Sequence, residues 1–199
     1  HYVGTSWSFW KGHHAKLQSY FPDKLSGIDT KEFYRSINQV QPSLIRVGAD
    51  EVTYNLHILI RFEMEQHLFN ETVNVMDLPE MWNAKYKEYL GITPPTDSDG
   101  ILQDVHWSFG LFGYFPTYTL GNLYGRMMFE QAEQELPNLA ANIEEGHLTG
   151  LTQWLNHKVH QVGRRRSAAD LIKDITQKEL TPEPFLKYLR HKYGTIYGF

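Results

Sequence analysis

One stretch of this chain steps with helical period, and it sets the terms for the rest. From Ile45, the apolar residues Ala49, Val52, Leu56 and Leu59 follow at intervals of 4, 3, 4 and 3, the spacing that lines one face of an α-helix. Pro42-Ser43 opens the stretch, so a single helix is expected from about Ser43 to about Phe69, the longest in the chain. Helix punctuation recurs elsewhere. Leu17, Tyr20 and Phe21 precede Pro22, which a helix does not readily pass. Asp29 or Thr30 can cap a helix through Val40 with Phe33, Tyr34 and Ile37 inside. Asp77 with Glu80 reads as a capping box before Met81, Trp82, Tyr86 and Leu90, and Gly91 stops that helix. Helical character returns from Pro116 to Leu136, after Pro137, and over 148–162. Ser167 with Asp170 is a second capping box, and Thr181-Pro182 opens a last helix to about Tyr193.

Only residues 92–115 break the pattern. Pro94-Pro95, the run Thr96-Asp97-Ser98-Asp99-Gly100, and Gly110 and Gly113 indicate irregular backbone, with a short strand around Ile101–Val105. Trp107, Phe109, Phe112 and Phe115 are assigned to a corner of the core. No repeat, low-complexity tract or linker interrupts the chain. The reading is one all-α, multi-helix domain over residues 1–199.

Composition narrows the chemistry. The absence of cysteine excludes disulfides, thiolate metal sites and a cysteine nucleophile. A net charge of −4 argues against nucleic acid or an anionic membrane as partner. No apolar run approaches the roughly 18 residues of a membrane span. There is no P-loop, dinucleotide fingerprint, G-x-S-x-G or H-E-x-x-H. His157 and His160 stand three apart, a weaker metal spacing than four. Asn70-Glu71-Thr72 matches a glycosylation sequon, and Arg164-Arg165-Arg166 reads as a solvated turn. The chain opens at His1 without methionine and is expected to be a piece of something longer.

Two places could carry chemistry. Arg46, Asp50, Tyr54, His57 and Arg61 step by 4, 4, 3 and 4, a polar stripe beside the apolar face of the long helix. Such a stripe is either a solvated surface with an Arg46–Asp50 ion pair or one wall of a cleft. The second place is Gly100-Ile101-Leu102-Gln103-Asp104-Val105-His106-Trp107, where an aspartate one residue removed from a histidine suits a carboxylate that orients an imidazole. Tyr114 and Tyr118 follow, and phenolic hydroxyls can donate to a developing oxyanion.

These two segments also carry a resemblance. Ile45-Arg46-Val47-Gly48-Ala49-Asp50 is similar to the I/V-R-x-x-A-D signature of the carboxypeptidase Taq family of metallocarboxypeptidases. Gly100 through Trp107 resembles that family's G-x-x-Q-D-x-H-W signature, and Gly113 through Asn122 and Trp154 through Gly163 are also family-like. The likeness spans essentially the whole chain.

The resemblance implies the C-terminal part of a zincin-like helical metallopeptidase that releases C-terminal amino acids from peptides. In that family an H-E-x-x-H motif and a later glutamate hold a divalent metal, zinc or cobalt. His1-Tyr2-Val3-Gly4 resembles the stretch just after that last ligand, so no metal ligand is expected in this chain and the isolated piece is expected to be inactive. The resemblance also implies site roles. Arg46 is the candidate for a substrate's free C-terminal carboxylate, with Asp50, Asp104 and Tyr54 on the substrate-binding side. His106, Tyr114 and Tyr118 are the candidate catalytic donors. A peptide substrate, a homodimer and a cytoplasmic location are expected, with no membrane or nucleic-acid partner. A non-catalytic helical scaffold or interaction domain derived from the same family is the alternative.

Overall fold

Ten α-helices make up most of the regular structure among the described residues of the computed structural model, 2–70 and 73–199. They are α1 (Trp7–Tyr20), α2 (Pro22–Leu25), α3 (Thr30–Ile37), α4 (Tyr54–Phe69) and α5 (Leu78–Leu90), followed by α6 (Pro116–Glu135), α7 (Leu139–Glu145), α8 (Thr149–Leu155), α9 (Ala168–Thr176) and α10 (Glu183–Tyr197). No strand occurs among the described residues, and the all-α class holds. Packing divides the chain into two units. One is Gln39–Gly121, and the other joins His1–Asn38 to Asn122–Phe199.

In the unit Gln39–Gly121, the core forms between α4 and α5. Leu78, Trp82, Tyr86 and Leu90 recur every fourth residue, so α5 turns one face onto Ile60 and Met64 of α4. All six are buried, and each apolar side chain removed from water contributes roughly 1.5–3 kcal/mol. In the other unit α1 packs on α7, and Ala132, Leu139, Ile143, Leu151, Trp154 and Ile175 form the core. There the Trp154 Nε1–H donates to Glu135 at 2.7 Å, so the indole is buried with its donor satisfied.

Several helix ends follow the local signals. Asp29 caps α3 by accepting the Glu32 N–H, Ser167 caps α9 by accepting the Asp170 N–H, and Gly91 ends α5 in the left-handed conformation. Arg164 to Arg166 form an exposed turn.

Other expectations are corrected. There is no helix from Ser43: Arg46–Gly48 make one short turn, Ala49 is extended, and α4 starts at Tyr54. The reason is Asp50, whose carboxylate accepts the Val52 and Thr53 N–H groups at 2.9 Å and so competes with helical pairing across the stretch. Ile45 and Leu59, assigned to the inner face, are exposed. The longest helix is α6, 20 residues. Asp77 makes no side-chain cap, and Asn74 caps the preceding turn instead by accepting the Met76 N–H. Residues 101–105 form turns, not a strand. Phe115 is buried as assigned, but Phe109 is 75% exposed and Phe112 and Ile37 are also exposed. His1, and Glu71 and Thr72 of the sequon, lie outside the described residues.

Candidate functional site

Within the unit Gln39–Gly121, two irregular segments meet the polar face of α4. In the first, residues 39–53, Asp50 is the tie: besides the Val52 and Thr53 amides, its Oδ2 accepts from the Thr53 hydroxyl at 2.8 Å and the Gln41 N–H at 3.1 Å. The second segment, around Gln103 and Asp104, is tied to the first by Gln103. Its Oε1 accepts the Arg46 N–H at 2.9 Å, and its Nε2 donates to the Leu44 carbonyl at 3.0 Å.

Asp104 is the hub. Its Oδ1 accepts from Arg46 Nη2 at 2.7 Å and Arg46 Nε at 3.1 Å, while its Oδ2 lies 2.6 Å from both Nε and Nη2 of Arg61. Arg46 also donates from Nη1 to the Tyr54 hydroxyl at 2.9 Å, and Arg61 from Nη1 to the His57 carbonyl at 2.8 Å. Arg61 is fully buried with its guanidinium 4.6 Å from the Trp82 ring centre, and Arg46 lies 5.1 Å from that of Tyr118. Two buried guanidiniums therefore share one carboxylate. Burial alone would raise the Asp104 pKa, yet hydrogen bonds and charge from Arg46 and Arg61 hold it below its usual range. Burial likewise works against charge on Arg46, and Asp104 more than offsets it.

Beneath this triad lies a polar layer. Tyr86 donates to the Leu44 carbonyl at 3.1 Å, and His57 Nδ1 is 3.0 Å from the same hydroxyl. Burial first, then the Arg61 and Arg46 charges, lower the His57 pKa to about 4, so the ring is neutral near pH 7. Beside the triad, His106 Nε2 is 2.9 Å from the Tyr118 hydroxyl, and the His106 ring packs 4.3 Å from Phe115, centre to centre. Burial lowers the His106 pKa and raises that of Tyr118, so both are neutral near pH 7. Tyr114 is 45% exposed, 5.6 Å from Tyr118 between ring centres.

The residues present do not fit a catalytic metal. Among the described residues no group of three or more His, Asp or Glu side chains could hold one. His57 and His106 each commit one ring nitrogen to a tyrosine, and the positive charges of Arg46 and Arg61 act on both rings, which disfavours a cation there.

The site coincides with a wider likeness. Residues 1–193 match the family described as carboxypeptidase Taq (M32) metallopeptidase. The chain belongs to this family. Carboxypeptidase 1 of Bacillus subtilis (strain 168) is 45% identical over 196 residues, which is 98% of this chain and 39% of that protein. Thermostable carboxypeptidase 1 of Thermus thermophilus is 44% identical, over 98% of this chain and 38% of that protein. The solved M32 carboxypeptidase from Deinococcus radiodurans R1 superposes with a TM-score of 0.95 at 42% identity, over 99% of this chain and 40% of that one. This M32 chain thus spans about two-fifths of the length of the relatives it matches.

Of the residues singled out by sequence, this M32 chain brings together Arg46, Tyr54 and Asp104, with His106, Tyr114 and Tyr118 alongside. Asp50 stands apart from them: its carboxylate binds its own segment and makes no pair with Arg46. Asp104 makes no hydrogen bond to the His106 ring, whose Nε2 meets the Tyr118 hydroxyl and whose Nδ1 has no partner. The polar stripe is not one helix face, since Arg46 precedes α4. Arg61, Gln103 and Tyr86 were not assigned a role by sequence. Gln103 had a signal, its place in the second signature, whereas Tyr86 reads only as a core aromatic.

Proposed function

We propose that this chain is the C-terminal portion of a metal-dependent carboxypeptidase and forms the substrate side of its cleft. The observation that carries the reading is the arrangement at Asp104: two buried guanidiniums share one carboxylate, and Arg46 keeps N–H protons that neither Asp104 nor Tyr54 takes. A substrate carboxylate would accept from them in a charge-assisted pair. Arg46 has five N–H protons, of which three are committed to Asp104 and Tyr54. The remaining two are suited to the free C-terminus of a peptide.

Tyr118 is the donor toward the scissile carbonyl in this reading. A buried ring nitrogen is better left as an unpaired acceptor than as an unpaired N–H. His106 Nδ1 has no partner, so the proton belongs on Nε2, which donates to the Tyr118 oxygen. The Tyr118 O–H is then free to donate to substrate, with Tyr114 beside it. Asp104 holds Arg46 in place, Tyr54 fixes one corner of its guanidinium, and Asp50 shapes the segment that carries Arg46 without contacting substrate.

The metal, zinc or cobalt, belongs to the part of the protein outside this chain, and the chain by itself is inactive. No described helix is long and apolar enough to cross a membrane. A cytoplasmic, homodimeric enzyme without membrane or nucleic-acid partners completes the reading. The test is hydrolysis of an N-blocked dipeptide by the full-length protein, with the C-terminus free or amidated. Release of the terminal residue from the free acid alone supports the proposal. Absence of cleavage, with metal supplied, returns the chain to a helical scaffold.

A further inference from the structure

Glu65 lies one turn beyond Arg61 on α4, and both side chains are buried. A glutamate four residues after an arginine ordinarily pairs with it on the helix surface. Here Arg61 binds Asp104, and the Glu65 oxygens go elsewhere: Oε1 accepts from Trp107 Nε1 at 2.8 Å and Oε2 from the Gly113 N–H at 3.0 Å. Successive turns of α4 thus grip one loop at three points, Asp104, Trp107 and Gly113.

Within that loop the Val105, His106 and Trp107 carbonyls accept from Phe109, Gly110 and Leu111, while the outer residues Val105, Phe109, Leu111 and Phe112 are exposed. Gly110 and Gly113 both have left-handed φ, 70° and 74°, which other residues adopt only with strain. The backbone bonds shape the tip of the loop but do not tie it to α4, which Glu65 does at Trp107 and Gly113. His106 lies between the Asp104 and Trp107 anchors, and Tyr114 directly follows the Gly113 anchor.

We propose that Glu65 is a positioning residue for the reaction: its carboxylate closes the neck of the 107–113 loop and thereby sets His106 and Tyr114 against Tyr118. A carboxylate suits the task because it offers two acceptor oxygens and no donor to two N–H groups. The inference rests on the carboxypeptidase reading, and its test separates the two.

The experiment uses the full-length protein. Glu65→Gln keeps the size but presents its N–H2 group to one of the two loop donors. The expected result is a kcat lower by at least about tenfold with KM within about twofold, since orientation of the reacting groups is lost while substrate binding is kept. Amide hydrogen exchange over 106–113 should quicken while that of α5 is unchanged. Adding Trp107→Phe removes one donor, and the double variant should regain several-fold in kcat over Glu65→Gln alone. If Glu65→Gln does not fold, Trp107→Phe alone decides: it keeps the charge and the Gly113 bond, and its kcat should fall at constant KM. An active wild type whose variants keep full kcat overturns the inference, as does unchanged loop exchange. A wild type that cleaves no peptide overturns the carboxypeptidase reading itself.

Discussion

Arg61 and Asp104, 43 residues apart in sequence, meet in a buried ion pair in which two guanidinium nitrogens lie 2.6 Å from one carboxylate oxygen. The pair ties α4 to the irregular segment that holds Gln103 and His106. Arg46 adds a second cation to the same carboxylate.

The three charges are not equivalent, and stability should show it. Asp104→Asn leaves two buried guanidiniums without a counter-charge and is expected to cost about 3–5 kcal/mol. Arg46→Ala leaves a neutral Arg61–Asp104 pair, so its cost should be smaller, about 1–2 kcal/mol. Denaturant unfolding of both variants checks the order. A reversed order would mean that Arg46, not Arg61, is the main partner of Asp104.

The same region makes stability depend on acid. The folded His57 pKa, about 4, lies below the ordinary 6.5, so the unfolded state binds more protons between those values. The His57 contribution is therefore complete above about pH 6.5 and is lost as pH falls toward 4. Asp104, held below its ordinary 3.8, adds a second loss at still lower pH. Thermal melts should show a falling Tm between pH 6.5 and 4 that His57→Gln flattens. An equally steep slope in the variant would assign the effect to other groups.

Much of the helical framework could be read locally, because caps and stops act within a turn. Asp29, Ser167 and Gly91 serve as their residue types suggest. The stretch from Ser43 could not be read this way. Its 4-3-4-3 apolar stepping is real, but one carboxylate at Asp50 outcompetes it by binding two nearby amides, and periodicity is blind to that choice. Periodicity also places charged residues outward, so it cannot show that Arg61 is buried. Burial there depends on Asp104, a partner whose approach is set by tertiary packing. The signatures brought attention to Arg46, Asp104 and His106, whereas Glu65 and Tyr86 have no local mark distinguishing them from surface charge and core filler.

Asp50 has a consequence of its own. Because its carboxylate satisfies the amides of the turn that leads into α4, Asp50→Ala is expected to cost about 1–2 kcal/mol, as for loss of a helix cap. Asp50→Asn should retain part of this, since one oxygen remains to accept. Hydrogen exchange provides the local check: the Val52 and Thr53 amides should lose protection first. Protection kept at both amides in Asp50→Ala would show that the turn is held by something else.

Arg46 is where binding and stability must be separated. In the full-length protein, Arg46→Ala is expected to lower kcat/KM for peptides with a free C-terminus by at least about a hundredfold, on the order of 3 kcal/mol, as for loss of a charge-assisted pair in a largely desolvated site. Lysine should restore little, because it keeps the charge but not the planar fork that reaches Asp104 and Tyr54 together. The structure adds a complication, since Arg46 is buried and paired, and part of any loss could come from unfolding. An amidated peptide resolves it. If Arg46 binds the terminal carboxylate, the wild type already handles the amide poorly, and Arg46→Ala should change that residual rate by less than about threefold. Loss by unfolding would instead lower both rates by the same factor. Equal losses on acid and amide would remove Arg46 from substrate binding and leave it a partner of Asp104 alone.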